Sequence, residues 1–223
     1  MAPIYDTSVA SELLTGTRLA RSAIGRGELV VIPTDTVYGV AADAFQPKAV
    51  ARLLEAKGRG RQQPPPVLIP GIPTLDALAE TVPDEVRELV KAFWPGGLTI
   101  ILPARSSLSW DLGETRGTVA LRMPSNRIAL ELLSETGPLA VSSANLSGEP
   151  AAITAIEAER MLGDSVAVYL DGGTAGEGYA PAGDPGSTIV DATGLLKPHG
   201  KLTIVRSGVI PDDLIFQTIG GSA

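Results

Sequence analysis

The chain has 223 residues, of which 44% are hydrophobic and only 4% aromatic, and its 18 basic against 25 acidic side chains leave a formal net charge of −7. That length supports one α/β domain with a real core, or two small ones. The lack of cysteine excludes disulfides and thiolate metal sites. The acidic balance argues against a protein that grips a long stretch of nucleic acid, because phosphate neutralisation dominates that affinity.

Val9, Leu13, Ala20 and Ile24 recur at helical spacing and predict a helix over 8–25, stopped by Gly25 and Gly27. Glu28 to Ile32 is a short β-branched strand, followed at once by the hydroxyl-rich segment Pro33-Thr34-Asp35-Thr36-Val37-Tyr38-Gly39. Polar side chains crowding the end of a buried strand mark a common ligand position in α/β proteins. Residues 47–57 read as a helix with Pro47 in its first turn and Gly58 just past its end. Val50, Leu53, Leu54 and Lys57 fall on one stripe, so Lys57 is expected to point inward.

Gln62 to Pro66 forms a stiff turn before a strand at Val67 to Ile69. An amphipathic helix spans Pro83 to Phe93, and strands follow at Leu98 to Leu102 and Thr118 to Arg122. A helix over 126–135 leads into the apolar run Leu139 to Val141, which opens into Ser142-Ser143-Ala144-Asn145-Leu146-Ser147-Gly148. Ala155 to Leu162 reads as a helix and Val166 to Leu170 as a strand. The Gly-, Ala- and Pro-rich stretch 171–186 is long enough to act as a lid. Ser187 to Val190 and Leu202 to Val205 are late strands, the second ending at Arg206. No linker divides the chain, so one domain over 1–223 is expected. No run is long and apolar enough to span a bilayer, and no basic-then-apolar leader opens the chain, so a cytoplasmic protein is the expectation.

Lys57 and Arg59 place a mobile point charge and a planar fork one residue apart, with Arg61 as a third cation. Charge-assisted hydrogen bonds from such a pair are what a polyphosphate needs. The plainer reading is a helix C-terminus that favours positive charge. That reading does not account for Lys57 on the apolar stripe. Arg122 could capture a carboxylate bidentately or close a salt bridge at the rim. Ser143 and Asn145 could bind ligand or cap a turn, and Thr34 and Thr36 could satisfy loop backbone. His199 lies in the polar turn Lys197-Pro198-His199-Gly200 and reads as a surface residue. There is no Gly-x-x-x-x-Gly-Lys-Ser/Thr loop, no Gly-x-Ser-x-Gly elbow and no His/Cys cluster for zinc. Spacing alone therefore stops at an α/β protein with a pocket for an anionic ligand.

Six segments in order, Pro33 to Gly39, Lys57-Gly58-Arg59, Phe93-Trp94-Pro95-Gly96, Arg122-Met123-Pro124, Ser143 to Gly148 and Ser187 to Asp191, resemble those of YrdC-like threonylcarbamoyl-AMP synthases. The resemblance covers roughly residues 12–208. It implies an open, twisted mixed sheet with flanking helices around a large basic cavity. It also implies a reaction: L-threonine, bicarbonate and ATP give threonylcarbamoyl-AMP and pyrophosphate, and a separate transferase complex passes the threonylcarbamoyl group to tRNA beside the anticodon.

By the same resemblance Lys57, Arg59, Gln63, Thr118, Asn145 and Arg206 would hold ATP, with Lys57 and Arg59 on its phosphates. Thr34, Thr36, Tyr38, Arg122, Ser143 and Ser187 would line the threonine site. Magnesium would travel on the ATP phosphates, with no metal cage of the protein's own. The chain departs from the family pattern at Leu68 and Asn126, where histidines are frequent, at Pro64-Pro65-Pro66, and in its longer 171–186 loop. It ends soon after Arg206, as a form without the extra C-terminal domain would. Rival readings are a carbamoyl-adenylate enzyme, an RNA- or ribosome-binding module, and a relative that binds nucleotide without turnover.

Overall fold

The computed structural model describes residues 2–179 and 185–220. Ten strands form one mixed sheet in the order β1-β8-β2-β3-β7-β4-β6-β5-β9-β10. They are β1 (Ile4–Asp6), β2 (Val30–Ile32), β3 (Gly39–Asp43), β4 (Val67–Leu68), β5 (Leu98–Pro103), β6 (Thr118–Arg122), β7 (Leu139–Ser143), β8 (Val168–Asp171), β9 (Thr188–Asp191) and β10 (Thr203–Arg206). Seven helices accompany them: α1 (Ala10–Gly25), α2 (Pro47–Ala56), α3 (Ile72–Leu78), α4 (Asp84–Phe93), α5 (Arg127–Thr136), α6 (Ala155–Leu162) and α7 (Asp212–Thr218).

The sheet is covered on both faces, and for that reason its strands read as apolar runs rather than clean alternations. On β2, Val30 and Ile32 pack with Ala20, Ala23 and Ile24 of α1 and with Leu132 and Leu133 of α5. The intervening Val31 belongs to a second cluster with Leu53 of α2 and Ala158 and Leu162 of α6. A third cluster joins Leu75, Leu89 and Ile215 of α3, α4 and α7 to Leu98, Ile100 and Leu121 of β5 and β6. The small Ala41 and Ala42 of β3 let helices approach both faces of the sheet closely.

Strand register brings distant segments together. β3 and β7 are antiparallel with Gly39 opposite Ser143, so the start of one strand meets the end of the other. The amide of Ala144 then donates to the Tyr38 carbonyl at 2.8 Å. β4 and β6 run parallel with Leu68 beside Arg122, and β5 and β9 run parallel with Leu98 beside Thr188. The segment 33–38, the turn after β7, the end of β6 and the start of β9 thereby border one region.

The expected helices at 8–25, 47–57, 83–93, 126–135 and 155–162 are present within two residues of those bounds. β3, β1, α3 and α7 were not anticipated. β3 is Gly-Val-Ala-Ala-Asp, whose small residues carry little strand propensity and whose place is set by its neighbours. β1 is a three-residue edge strand, and α3 contains a proline in its first turn. Asn126, one of the departures from the family pattern, caps α5 by accepting from the amides of Ile128 and Ala129. Part of the expected lid, residues 180–184, lies outside the described residues. No helix among the described residues is long and apolar enough to cross a membrane.

Candidate functional site

The β-edges that meet in this fold enclose a cavity of about 360 Å³, a size suited to a small molecule. Thr34, Thr36, Arg59, Arg122, Ser187 and Arg206 are on its wall, with Ser143 and Asn145, and among the described residues Glu149 is the only acid lining it. Among the described lining residues three guanidiniums stand against one carboxylate, a local cationic excess on a protein whose formal charge is −7.

Lys57 lies at the C-cap of α2 and is fully buried. Its ammonium donates to the Ser143 carbonyl at 2.5 Å, to the Asn145 carbonyl, and to Asn145 Oδ1 at 3.0 Å. Asn145 Nδ2 in turn donates to the carbonyls of Leu146 and Glu149. The inward direction read from the helical stripe is thus found. Yet Lys57 stands behind the 143–145 turn rather than on the cavity wall, and its protons brace that turn. Burial, and after it the nearby Arg59 charge, push the lysine down to about 7. The surrounding oxygens oppose that push, because only the ammonium has three protons to give.

Arg59 follows the left-handed Gly58 and turns to the cavity, where Nη1 donates to Ser142 Oγ at 3.2 Å. Its Nε is buried with no protein acceptor. Burial holds its pKa below the ordinary arginine value. No ion pair holds Arg59 among the described residues, so it is the cation most available to an incoming anion. Arg61, the third candidate cation, instead closes an exposed salt bridge with Asp111 at 2.8 Å and does not line the cavity.

Arg122 is almost wholly buried at the end of β6. Nε donates to the Gly96 carbonyl at 2.9 Å and Nη1 to Thr36 Oγ1 at 3.0 Å. Nη2 lies 2.9 Å from Asp35 Oδ1 as an ion pair outside hydrogen-bond alignment. Arg122 is thus held in a salt bridge, but a buried one rather than one on a rim. Asp35 also accepts from the Ser125 amide and the Tyr179 hydroxyl, each at 2.9 Å.

Burial raises the Asp35 pKa, but Arg122 together with these donors outweighs it and holds the carboxyl below its ordinary value. The folded state therefore binds this proton less readily than the unfolded chain. Asp35 contributes stability above the unfolded carboxylate pKa that is lost as the pH falls through the lower folded value. Thermal melts from about pH 6 down to about pH 2 are expected to show a shallower acid limb in Asp35→Asn than in the wild type. An unchanged limb would assign the acid loss to other carboxyls.

The remaining candidates separate. Thr34 Oγ1 donates to the Val37 carbonyl at 2.6 Å and accepts from the amides of Thr36 and Val37, so it shapes the loop as well as lining the hollow. Ser187 shares a 2.8 Å hydroxyl contact with Thr99 and accepts from Arg206. Tyr38 also lines the cavity, and its hydroxyl donates to the Gly173 carbonyl at 2.6 Å and accepts from the Gly172 amide, tying down the 171–173 segment. Burial raises its pKa well above the usual phenol value. Thr118 lines an adjoining hollow of about 160 Å³ that shares Pro64, Pro66 and Ile189 with the first. Gln63 is exposed and lines neither. His199 is exposed in a turn. Asp35, Ser142, Thr99 and Glu149 were not singled out from the sequence. Only Asp35 offered a signal there, as an acid placed between two threonines at a strand end.

An α/β sheet with a cationic, hydroxyl-rich cavity at its strand ends is the arrangement that suits a small anionic ligand. A family model described as "Telomere recombination", the Sua5/YciO/YrdC family, matches residues 22–208, and the chain belongs to that family. Over 223 residues it is 46% identical to a Mycobacterium tuberculosis (strain H37Rv) protein provisionally named a threonylcarbamoyl-AMP synthase, covering 100% of this chain and 98% of that one. It is 39% identical to the threonylcarbamoyl-AMP synthase of Pyrococcus abyssi, over 91% of this chain and 57% of that enzyme. The crystal structure of P. abyssi Sua5 complexed with L-threonine superposes with a TM-score of 0.85 at 32% identity, over 100% of this chain and 62% of that chain. The chain thus spans somewhat under two thirds of these archaeal relatives and nearly the whole mycobacterial one.

Proposed function

We propose that this protein is an L-threonylcarbamoyladenylate synthase, using L-threonine, bicarbonate and ATP to form threonylcarbamoyl-AMP and pyrophosphate. The observation that carries this reading is one cavity whose wall holds Arg59, Arg206 and Arg122 together with Thr36 and Ser187. Several guanidiniums in one hollow suit both a polyphosphate and an amino-acid carboxylate. Family membership and the relatives' names support the same assignment.

On this reading the threonine amine condenses with bicarbonate, losing water, to a carbamate whose oxygen attacks the α-phosphorus of ATP and displaces pyrophosphate. No protein nucleophile takes part. Rate comes from holding two anionic reactants together and from offsetting charge on the departing pyrophosphate. Arg59 and Arg206 hold the nucleotide end directly, while Lys57 acts through the 143–145 turn that carries Ser143 and Asn145. Thr118, in the adjoining hollow, lies where the nucleoside end would extend. The described residues contain no group of three His, Asp or Glu side chains fit to hold a metal. On this reading magnesium arrives on the ATP phosphates. The product would pass to a separate tRNA threonylcarbamoyl transferase.

Purified protein given ATP, magnesium and bicarbonate is expected to release pyrophosphate only when L-threonine is added. Release that ignores threonine, or AMP formation driven instead by carbamoyl phosphate, would transfer the assignment to carbamoyl-adenylate chemistry.

A further inference from the structure

Arg122 already has a carboxylate partner, and this makes its proposed task unusual. A bound amino acid would bring a second carboxylate to a guanidinium that Asp35 occupies at 2.9 Å. Two carboxylates beside one cation repel each other unless the inner one is stabilised from another side. Asp35 has such support on both oxygens, from the Ser125 amide on Oδ1 and the Tyr179 hydroxyl on Oδ2. The Ser125 donor belongs to the segment just after β6. The Tyr179 donor comes from the segment following β8, about 140 residues away in the chain.

That segment packs on the same wall. A Cβ built on Gly176 would stand 2.9 Å from the Thr36 carbonyl, and one built on Gly97 would stand 3.0 Å from the Tyr179 hydroxyl. The Ala175 amide donates to the Ile153 carbonyl at 2.8 Å. Burial first, then the Asp35 charge, raise the Tyr179 phenol to about 12, so it remains a proton donor throughout the physiological range.

We infer that Tyr179 is a positioning residue for the amino-acid site: its hydroxyl, bonded to Asp35, leaves Arg122 able to accept a second carboxylate. This role rests on the amino-acid reading of the cavity. Without the hydroxyl, Asp35 keeps a buried oxygen without a donor, draws more strongly on Arg122, and opposes the incoming carboxylate. Coupling is reciprocal, so threonine binding should in turn tighten the 172–179 segment against the wall.

The test is calorimetric titration of wild type, Tyr179→Phe, Asp35→Asn and the double variant with L-threonine, and separately with a non-hydrolysable ATP analogue. Tyr179→Phe is expected to weaken threonine about 5–10-fold, the scale of one ordinary hydrogen bond, and to leave the analogue's Kd unchanged. In the Asp35→Asn background the same change should have no further effect on threonine. Normal threonine binding by Tyr179→Phe, or equal weakening of both ligands, would overturn the positioning role while leaving the assignment intact. Wild type that binds no threonine would remove the assignment itself, and this role with it.

Discussion

Arg59→Ala is expected to lower threonine-dependent pyrophosphate release by about 10²–10³-fold, the usual cost of deleting one directed donor at developing charge. The fold should survive. Arg59 is only partly buried, and among the described residues its side chain makes one hydrogen bond, the 3.2 Å contact with Ser142 Oγ. A side chain so loosely tied contributes little to stability, roughly within 1 kcal/mol. Arg59→Lys should recover part of the rate, because it restores charge without the planar fork. The measurement is steady-state pyrophosphate release beside a thermal melt. Wild-type turnover in Arg59→Ala would mean that the polyphosphate lies elsewhere.

Lys57→Met should behave in the opposite way, losing stability first. Methionine matches the length of the stem but leaves the carbonyls of Ser143 and Asn145 and the Asn145 amide oxygen without their donor. Each buried group so orphaned costs about 1–3 kcal/mol. Relief from burying a charge offsets part of this. A net loss of about 3 kcal/mol corresponds to a melting temperature lower by about 6–12 °C in a domain of this size. Activity should fall too, since Ser143 and Asn145 lose their setting. Calorimetry decides the matter: an unchanged melting temperature would show that the lysine is not what holds the turn. The contrast between the two variants separates a residue that meets ligand from one that acts through another.

The two cations also show how far sequence reading reaches. The i, i+3, i+4, i+7 stripe of α2 is a local property, so the burial of Lys57 was legible one helix at a time. Its partners were not, because the turn it braces lies 86–88 residues away and arrives only through the β3–β7 register. The same limit applies to Arg122. A strand end with an arginine advertises a rim charge or a ligand contact, and only the fold supplies Asp35, Thr36 and Gly96 around it. Arg61 fails as a cavity residue for a related reason. Local spacing cannot show that Asp111 is waiting 2.8 Å away.

The amino-acid sequence alone determined the five longest helices, most strands, the exclusion of thiol chemistry, and the family, through ordered polar segments at the ends of apolar runs. These are short-range properties, set by periodicity and residue type. The tertiary structure alone decided which cations reach the hollow, that Tyr38 braces a neighbouring segment, that Gln63 stays at the surface, and that Tyr179 supports Asp35. Those outcomes depend on which strand lies beside which, and pairing between residues far apart in the chain has no signature in any single stretch of it.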